Sequence, residues 1–246
     1  MPSIITPKEI DVVILCGGMG KRLRDIINDR PKPMAEINGR PFLDILIDYL
    51  VSYGFKRFIL CIGYMGDKIK QYYQRRASSL TILFSEEREP LGTGGAIKNA
   101  ESLIQSNPFM VMNGDSFCQV DLGKFINFHI SKGASLSIVL ANLMMIKDGG
   151  VITLGDSQRI IGFDEKVRAE DNSLINAGIY LLETDVLSMI PAHKNYSLEY
   201  DLFPRMINKE FYGYINHEIL RDIGTPEGYK KANEFFGKHK GLWVRK

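Results

Sequence analysis

Residues that commonly carry chemistry are scarce or badly placed in this sequence. Cysteine occurs only as Cys16, Cys61 and Cys118, far apart and without CxxC spacing. An odd, scattered set excludes a disulfide framework and a zinc site. Each thiol lies in or beside an apolar run, where burial is the default and a reducing cytosol the expected compartment. The histidines, His129, His193, His217 and His239, show neither HxxxH spacing nor a nearby carboxylate motif, so no metal is assigned to them. Ser116 and Ser135 sit in no G-x-S-x-G elbow, which removes support for a hydrolase triad. Charge of one sign is lacking too: 31 bases against 29 acids leave +2, no electrostatic footprint for nucleic acid. No apolar run approaches the ~20 residues that span a bilayer. The opening MPSIITPKEI has no hydrophobic signal region, so neither membrane attachment nor a signal peptide is expected. Repeats, low-complexity tracts and an obvious linker are absent as well.

What is present is an ordinary globular composition, 45% hydrophobic over 246 residues, ample for a real core. The informative stretch runs from Val12 to Pro41. An apolar run, Val12-Val13-Ile14-Leu15, breaks into Gly17-Gly18-Met19-Gly20; Lys21 and Arg22 follow, and Lys32 stands between Pro31 and Pro33. A buried strand leading into a glycine-rich turn brings backbone N–H groups close to a phosphate. Arg22 and Lys32 add full positive charge to such a polyanion site. By itself the glycine cluster reads equally well as a tight turn with solvated bases. It is not a P-loop, because Gly20-Lys21 is followed by Arg22, and not a dinucleotide loop, because Leu23 stands where the third glycine belongs.

The pattern along the chain alternates strand and helix. Strands are expected at Asp11–Leu15, 58–62, 81–84 and 109–112. Between them lie a helix from Pro41 to Gly54 with Asp44 and Asp48 on a polar face, a polar helix over 67–76, and one from the second glycine-rich turn, Gly92-Thr93-Gly94-Gly95, to about Gln105. Tyr72-Tyr73 reads as packing. Such alternation predicts an α/β protein with a doubly wound, mostly parallel, Rossmann-like sheet whose ligands lie at the carboxyl ends of the strands. After about residue 133 the texture becomes strand-rich, at 136–143, 151–154, 160–163, 175–182 and 211–215, predicting a mixed or antiparallel extension. A helix is expected over 197–208, and Thr225-Pro226-Glu227 caps the last one. One domain with two lobes, about 9–133 and 134–246, is the expected organisation.

Asp115 ends a buried strand in Asn113-Gly114-Asp115, and Asp222 precedes the last helix. Carboxylates so placed suit Mg²⁺, which takes one or two of them together with substrate phosphates. Taken singly, Asp115 reads as a turn cap and Asp222 as a partner of Arg221. Asp164-Glu165-Lys166 at a strand end offers a phosphate-binding point charge or a solvated loop. Asn176-Ala177-Gly178 interrupts an apolar strand, as at a close ligand approach or, more simply, a β-bulge.

Together these pieces resemble the sugar-1-phosphate nucleotidylyltransferases. The likeness runs through Leu15–Leu23, Pro31–Met34, Leu91–Ala96, Asn113–Asp115, Phe163–Lys166, Asn176–Tyr180 and Asp222–Pro226, in the family's order over nearly the whole chain. Within the family the chain is most similar to the guanylyltransferase branch acting on mannose and D-glycero-α-D-manno-heptose 1-phosphates. The resemblance implies a nucleotide-diphospho-sugar transferase fold, with a nucleotide-binding lobe followed by a sugar-phosphate lobe. It implies Mg²⁺ and two substrates: an NTP, GTP favoured over UTP or dTTP, and a sugar 1-phosphate. Homo-oligomerisation is left open. Carried over by motif, Arg22 and Lys32 are catalytic; Leu15, Gly17, Gly18, Gly20, Lys21, Gly92, Thr93 and Asp115 bind nucleotide; Asp115 and Asp222 hold the metal. Glu165, Lys166, Asn176 and Gly178 bind the sugar phosphate. In that chemistry a sugar phosphate oxygen attacks the α-phosphorus in line and pyrophosphate leaves. The nucleophile is already ionised, so alignment and charge neutralisation are the whole task. The chain departs from the family pattern at Lys21, where Thr is usual, at Val167, where Pro is usual, and at Lys147–Gly150, where an aromatic precedes Gly-Val. The last two bear on the sugar rather than on the reaction. A silent nucleotide-sensing subunit is the alternative from another class, and the presence of Arg22, Lys32, Asp115 and Asp222 weighs against it.

Overall fold

The computed structural model describes residues 5–75, 79–142, 151–164 and 173–239. Strand β1 (Val12–Leu15) is the middle of the molecule. Alternate residues of a strand point to opposite faces. Val12 and Ile14 accordingly enter one core layer and Val13 the other. Both faces are covered, and so this strand reads as an unbroken apolar run. Around it, β2 (Arg57–Ile62), β3 (Thr81–Glu86) and β4 (Phe109–Asn113) run parallel, in the order β4-β1-β2-β3.

The helices supply the layers. Helix α1 (Phe42–Ser52) and α2 (Gly66–Gln74) follow β1 and β2, and α3 (Gly92–Asn99) follows β3. The expected polar face of α1 needs correction. Asp48 does pair with Arg40, at 2.6 Å, but Asp44 is buried and accepts hydrogen bonds from Tyr72 and Tyr73 hydroxyls at 2.6 and 2.8 Å. Tyr72-Tyr73 therefore does more than pack. Helix α3 ends at Asn99 and continues only as a short 3₁₀ turn, Glu101–Leu103, short of the expected Gln105.

After β4 the chain makes a short strand β5 (Ser116–Cys118) and helix α4 (Leu122–Lys132). Helix α4 is not among the elements expected from the pattern, although its ends are marked. Asp121 accepts from the Lys124 amide at the N-terminus and Gly133 closes the other end at φ +55°.

The second half extends the same sheet rather than starting a new one. Strand β6 (Leu136–Asn142), β7 (Val151–Leu154), β8 (Ile160–Asp164) and β9 (Leu174–Leu182) join it, followed by β10 (Phe211–Asn216). Among the described residues the sheet has nine strands, with β9 as the seam. Its Ile179–Leu182 end lies antiparallel to β4, while β6 pairs antiparallel along its other edge and β10 runs parallel to β6. This is the mixed extension anticipated after residue 133. The helix expected over 197–208 is instead a π-helical turn, Leu198–Leu202, and a short α-helix, Phe203–Met206. Pro204 cannot donate its share of an α-helical ladder. Finally β11 (Leu220–Asp222) pairs antiparallel with β5, and α5 (Pro226–Lys238) begins at Thr225, whose hydroxyl accepts from the Gly228 amide.

Asn176 and Gly178 mark a bulge. The β6–β9 register shifts between Asn176 and Tyr180, and Gly178 sits at φ +71°. A Cβ on Gly178 would lie 2.6 Å from Asn113 Nδ2, so glycine is required there twice over. Gly133 is the natural comparison, since its φ is also positive but nothing lies within 4 Å of its absent Cβ. Gly133→Ala is expected to cost about 1–2 kcal/mol in chemical denaturation, the left-handed backbone penalty alone. Gly178→Ala is expected to cost measurably more, because Asn113 must move as well; equal losses would contradict that close approach.

Candidate functional site

Because β1 to β4 are parallel and in register, their carboxyl ends are level. Leu15 lies opposite Cys61 on one side and Asn113 on the other, and Ile62 lies opposite Glu86. The segments leaving these ends tie to one another through the backbone. The Cys16 amide donates to Cys61 O at 2.8 Å, Gly114 N to Leu15 O at 3.0 Å, and Glu87 N to Ile62 O at 2.9 Å. They enclose one cavity of about 670 Å³. Leu15, Gly17, Gly18, Gly20, Lys21, Arg22, Lys32, Gly92, Thr93 and Asp115 all line it.

Each of these positions has a local cause. Gly20 adopts φ +59° and leads into a single 3₁₀ turn, Lys21–Leu23, anchored by fully buried Leu23. Lys21 and Arg22 are thereby left exposed at the cavity wall. Neither has a carboxylate partner among the described residues, nor does Arg88 on the opposite wall. Unpaired cations around one concavity make it attractive to a polyanion. Lys32 is held differently. It opens a 3₁₀ turn between Pro31 and Pro33, and buried Pro33 and Met34 fix the backbone. Its Nζ lies 2.7 Å from Asp115 Oδ2 and 3.4 Å from Asp222 Oδ1.

Asp115 and Asp222 meet for a topological reason. Asp115 precedes β5, and β11 pairs with β5 so that Asp222 stands opposite Ser116. The Ile223 amide donates to Asp115 O at 3.0 Å, and Gly224 N donates to Asp222 Oδ1 at 2.7 Å. Asp222 is thus bound to Lys32 and its own loop, while Arg221 turns away to lie 3.4 Å over the Phe235 ring. The alternative pairing of Asp222 with Arg221 is not what forms.

The second glycine-rich turn owes its glycines to a distant segment. A Cβ on Gly92, Gly94 or Gly95 would fall 2.7, 3.0 and 2.5 Å from atoms of Tyr196 or Lys194. Thr93, although it lines the cavity, has its hydroxyl engaged: it donates to Glu199 at 2.8 Å and accepts from the Leu198 amide at 2.8 Å. Among the sugar-side expectations, Asn176 spends its amide within the bulge, on Tyr180 OH and the Gly178 amide, both at 2.9 Å. Gly178 reaches the cavity only through Asn113, which lines it. Glu165, Lys166, Val167 and Lys147–Gly150 lie outside the described residues.

The sequence reading passed over Tyr64, Glu87, Arg88 and Asn195, all of which line the cavity. Glu87 is the most informative. Its carboxylate lies over Gly17 and Gly63, where a Cβ on Gly63 would be 2.5 Å from Oε1. It accepts from the Leu91 amide at 3.2 Å. Burial raises its pKa above the usual carboxylate value, against the lowering effect of that amide. In the run Ser85-Glu86-Glu87-Arg88-Glu89 it looks like solvated charge; its place just after a strand end was the available signal. Burial also pushes the Cys16 thiol beneath the cavity well up. Among the described residues no group of three or more His, Cys, Asp or Glu converges as a metal cage.

Comparison with known proteins adds an independent line. A family model described as nucleotidyl transferase matches residues 11–239. The D-glycero-α-D-manno-heptose 1-phosphate guanylyltransferase of Aneurinibacillus thermoaerophilus is 37% identical over 227 residues, covering 92% of this chain and 97% of that protein. Its namesake from Campylobacter jejuni is 36% identical, covering 89% and 97%. The crystal structure of HddC from Yersinia pseudotuberculosis superposes with a TM-score of 0.80 at 36% identity, covering 92% and 99% of the two chains. The same protein complexed with GMP-PN gives 0.79.

Thr93→Val removes both the donor to Glu199 and the acceptor of the fully buried Leu198's amide. The expected loss is about 1–3 kcal/mol of stability. Hydrogen exchange at the Leu198 amide should accelerate by more than the global change accounts for.

Proposed function

The chain belongs to the nucleotidyl transferase family, and on that premise we propose that it joins GTP to D-glycero-α-D-manno-heptose 1-phosphate, releasing pyrophosphate and GDP-heptose. One observation carries the reading: unpaired cations, a lysine held between two carboxylates, and two glycine-rich walls share one cavity. That is what bringing two polyanions into line requires.

Roles follow from position. Asp115 follows β4 and Glu87 follows β3, three strand spacings apart, so the cavity extends about 14 Å along the sheet edge. The phosphates belong at the end with Lys32 and Arg22, and the base at the end with Glu87. Arg22 holds the β- and γ-phosphates that depart, with Lys21 beside it. Lys32 reaches the α-phosphate, where negative charge develops. Backbone at Leu15, Gly17, Gly18 and Gly20 lies against the nucleotide, and Gly92 and Thr93 wall the base and ribose. Asp115 and Asp222 suit a divalent cation, because two converging carboxylates already enclose a positive charge and Mg²⁺ takes its remaining ligands from phosphate and water. When bound, Mg²⁺ supplies charge neutralisation of the triphosphate. We assign the sugar phosphate to the second lobe, about 134–246, with Lys166 for its phosphate and Glu165, Asn176 and Gly178 for its sugar, and the nucleotide to the lobe of 9–133. No protein base is needed, since the attacking phosphate is ionised at neutral pH. Three buried free cysteines, and no described helix long and apolar enough to cross a membrane, accord with a reducing cytoplasm.

Glu87 favours guanine. Guanine presents N1–H and N2–H₂ side by side, which match the two oxygens of a carboxylate. Uracil and thymine offer one N–H between two carbonyls, so one carboxylate oxygen would face another acceptor. A bidentate match of this kind is worth about 1–3 kcal/mol, or roughly ten- to a hundredfold in selectivity.

The test is product identification by mass spectrometry from a panel of NTPs and sugar 1-phosphates. The expected result is Mg²⁺-dependent pyrophosphate release only when both substrates are present, highest for GTP with the heptose phosphate. Arg22→Ala should lower kcat by about two to three orders of magnitude with the melting temperature unchanged; near-normal turnover would refute the loop's assignment. Glu87→Gln should erode the GTP preference over UTP and dTTP by about ten- to a hundredfold. The sign of the pH effect follows from burial. As pH falls through the raised Glu87 pKa, the carboxylate gains a proton and loses an acceptor. The kcat/KM for GTP should therefore decline on the acid side at a higher pH than an exposed glutamate would give, and Glu87→Gln should lack that decline.

A further inference from the structure

Lys32 is assigned above to the α-phosphate, yet its ammonium is engaged elsewhere. Its side chain is only 11% exposed, against 39% for Asp115 and 30% for Asp222, and its Nζ sits 2.7 and 3.4 Å from the two carboxylates. We infer that Lys32 is a built-in counter-ion that occupies the divalent-cation position in the nucleotide-free protein and yields it only when a nucleotide triphosphate arrives to receive the ammonium. The inference rests on the nucleotidyl transfer reading and adds an order of binding to it.

Local construction supports this. Gly224 is not in the left-handed region, so its backbone makes no demand for glycine. A Cβ there would collide with Lys32 Nζ and lie 2.8 and 2.9 Å from the Asp222 oxygens. The missing side chain is the space that admits the ammonium. At the other end of the side chain, a Cβ on Gly20 would lie 3.1 Å from Lys32 Cβ, so the stem is fixed against the first glycine-rich loop. The stem is held against that loop, the tip is paired with the two carboxylates, and the side chain lines the cavity.

Charge then sets the order of events. Two carboxylates and one ammonium leave a single negative charge. Adding a divalent cation with the ammonium still in place would put excess positive charge in a half-buried site and require the same oxygens to serve both. With a triphosphate beside it, the ammonium exchanges carboxylate oxygen for phosphate oxygen and the divalent cation takes its place. Metal and nucleotide therefore assist each other's binding, and by linkage the effect is reciprocal.

The test measures Mn²⁺ binding through the EPR signal of free Mn²⁺, without substrate, in wild type, Lys32→Met and Lys32→Arg. Lys32→Met removes the charge and keeps most of the stem; Lys32→Arg keeps the charge. Lys32→Met is expected to bind Mn²⁺ alone on the order of tenfold more tightly than wild type, and Lys32→Arg no more tightly than wild type. Adding a non-hydrolysable GTP analogue, with the Mn²⁺ that the analogue chelates without protein subtracted, should bring wild type up to Lys32→Met. Asp222→Asn in the Lys32→Met background should abolish the gain. If wild type binds Mn²⁺ alone as tightly as Lys32→Met, or if the gain survives Asp222→Asn, the displacement is refuted and the nucleotidyl transfer reading stands. If wild type takes up no Mn²⁺ even with the analogue, the metal reading falls and this inference with it.

Discussion

The contact between Lys32 and the Asp115–Asp222 pair is the constraint on which the rest of the structure depends. It joins a loop near the start of the chain to one after β4 and to another 190 residues from Lys32. No single element could supply it. The parallel register of β1 and β4 puts Asp115 beside the first glycine loop; the β5–β11 ribbon brings Asp222 to Asp115; the proline-flanked turn aims Lys32 between them. A half-buried pair of carboxylates held together by backbone hydrogen bonds is costly unless a cation compensates it. The fold thus creates a demand for positive charge at one point, and the proposed catalysis uses that demand.

The glycines fall into the same scheme, for reasons that differ by position. Gly114 lets the chain pass Leu15 O, where a Cβ would come within 2.6 Å. Gly92, Gly94 and Gly95 let the segment around Tyr196 dock on the second glycine-rich turn, and Gly224 admits an ammonium. In each case the missing Cβ permits an approach between segments distant in sequence. Much of the chain's glycine content around the cavity is therefore long-range packing, although in the sequence it looks like local turn chemistry.

This explains what was legible. Strand positions were readable because burial on both faces leaves unbroken apolar runs, as in Val12–Leu15 and Phe58–Ile62. Placement at the ends of parallel strands followed from topology, which is why Arg22, Lys32 and Asp115 fall on one cavity. Other features depended on partners that no local pattern announces. Asp44 looked solvated on α1, and the approach of Tyr72 and Tyr73 favours its burial. Glu87 was hidden in a charged run because what distinguishes it is Gly17 and Gly63 lying against its carboxylate. Thr93 was legible as part of a wall, but its hydroxyl bonds depend on a π-helical turn that Pro204 helps to create.

The two ends of the cavity solve opposite electrostatic problems. At the proposed phosphate end negative charge would arrive with the substrate, and Lys21 and Arg22 have no carboxylate partners among the described residues. At the proposed base end the protein contributes the negative charge, and burial makes Glu87 costlier to ionise than the Leu91 amide alone offsets. A base with two adjacent donors relieves that cost, whereas one presenting a carbonyl increases it. Selectivity of this kind arises from an unfavourable free state as much as from a favourable bound one. The role inferred for Lys32 follows the same principle with the sign reversed: its ammonium is paired with Asp115 and Asp222, so a ligand must offer a better partner to move it. Base choice and metal entry would then both be governed by charges that the unliganded fold holds in place.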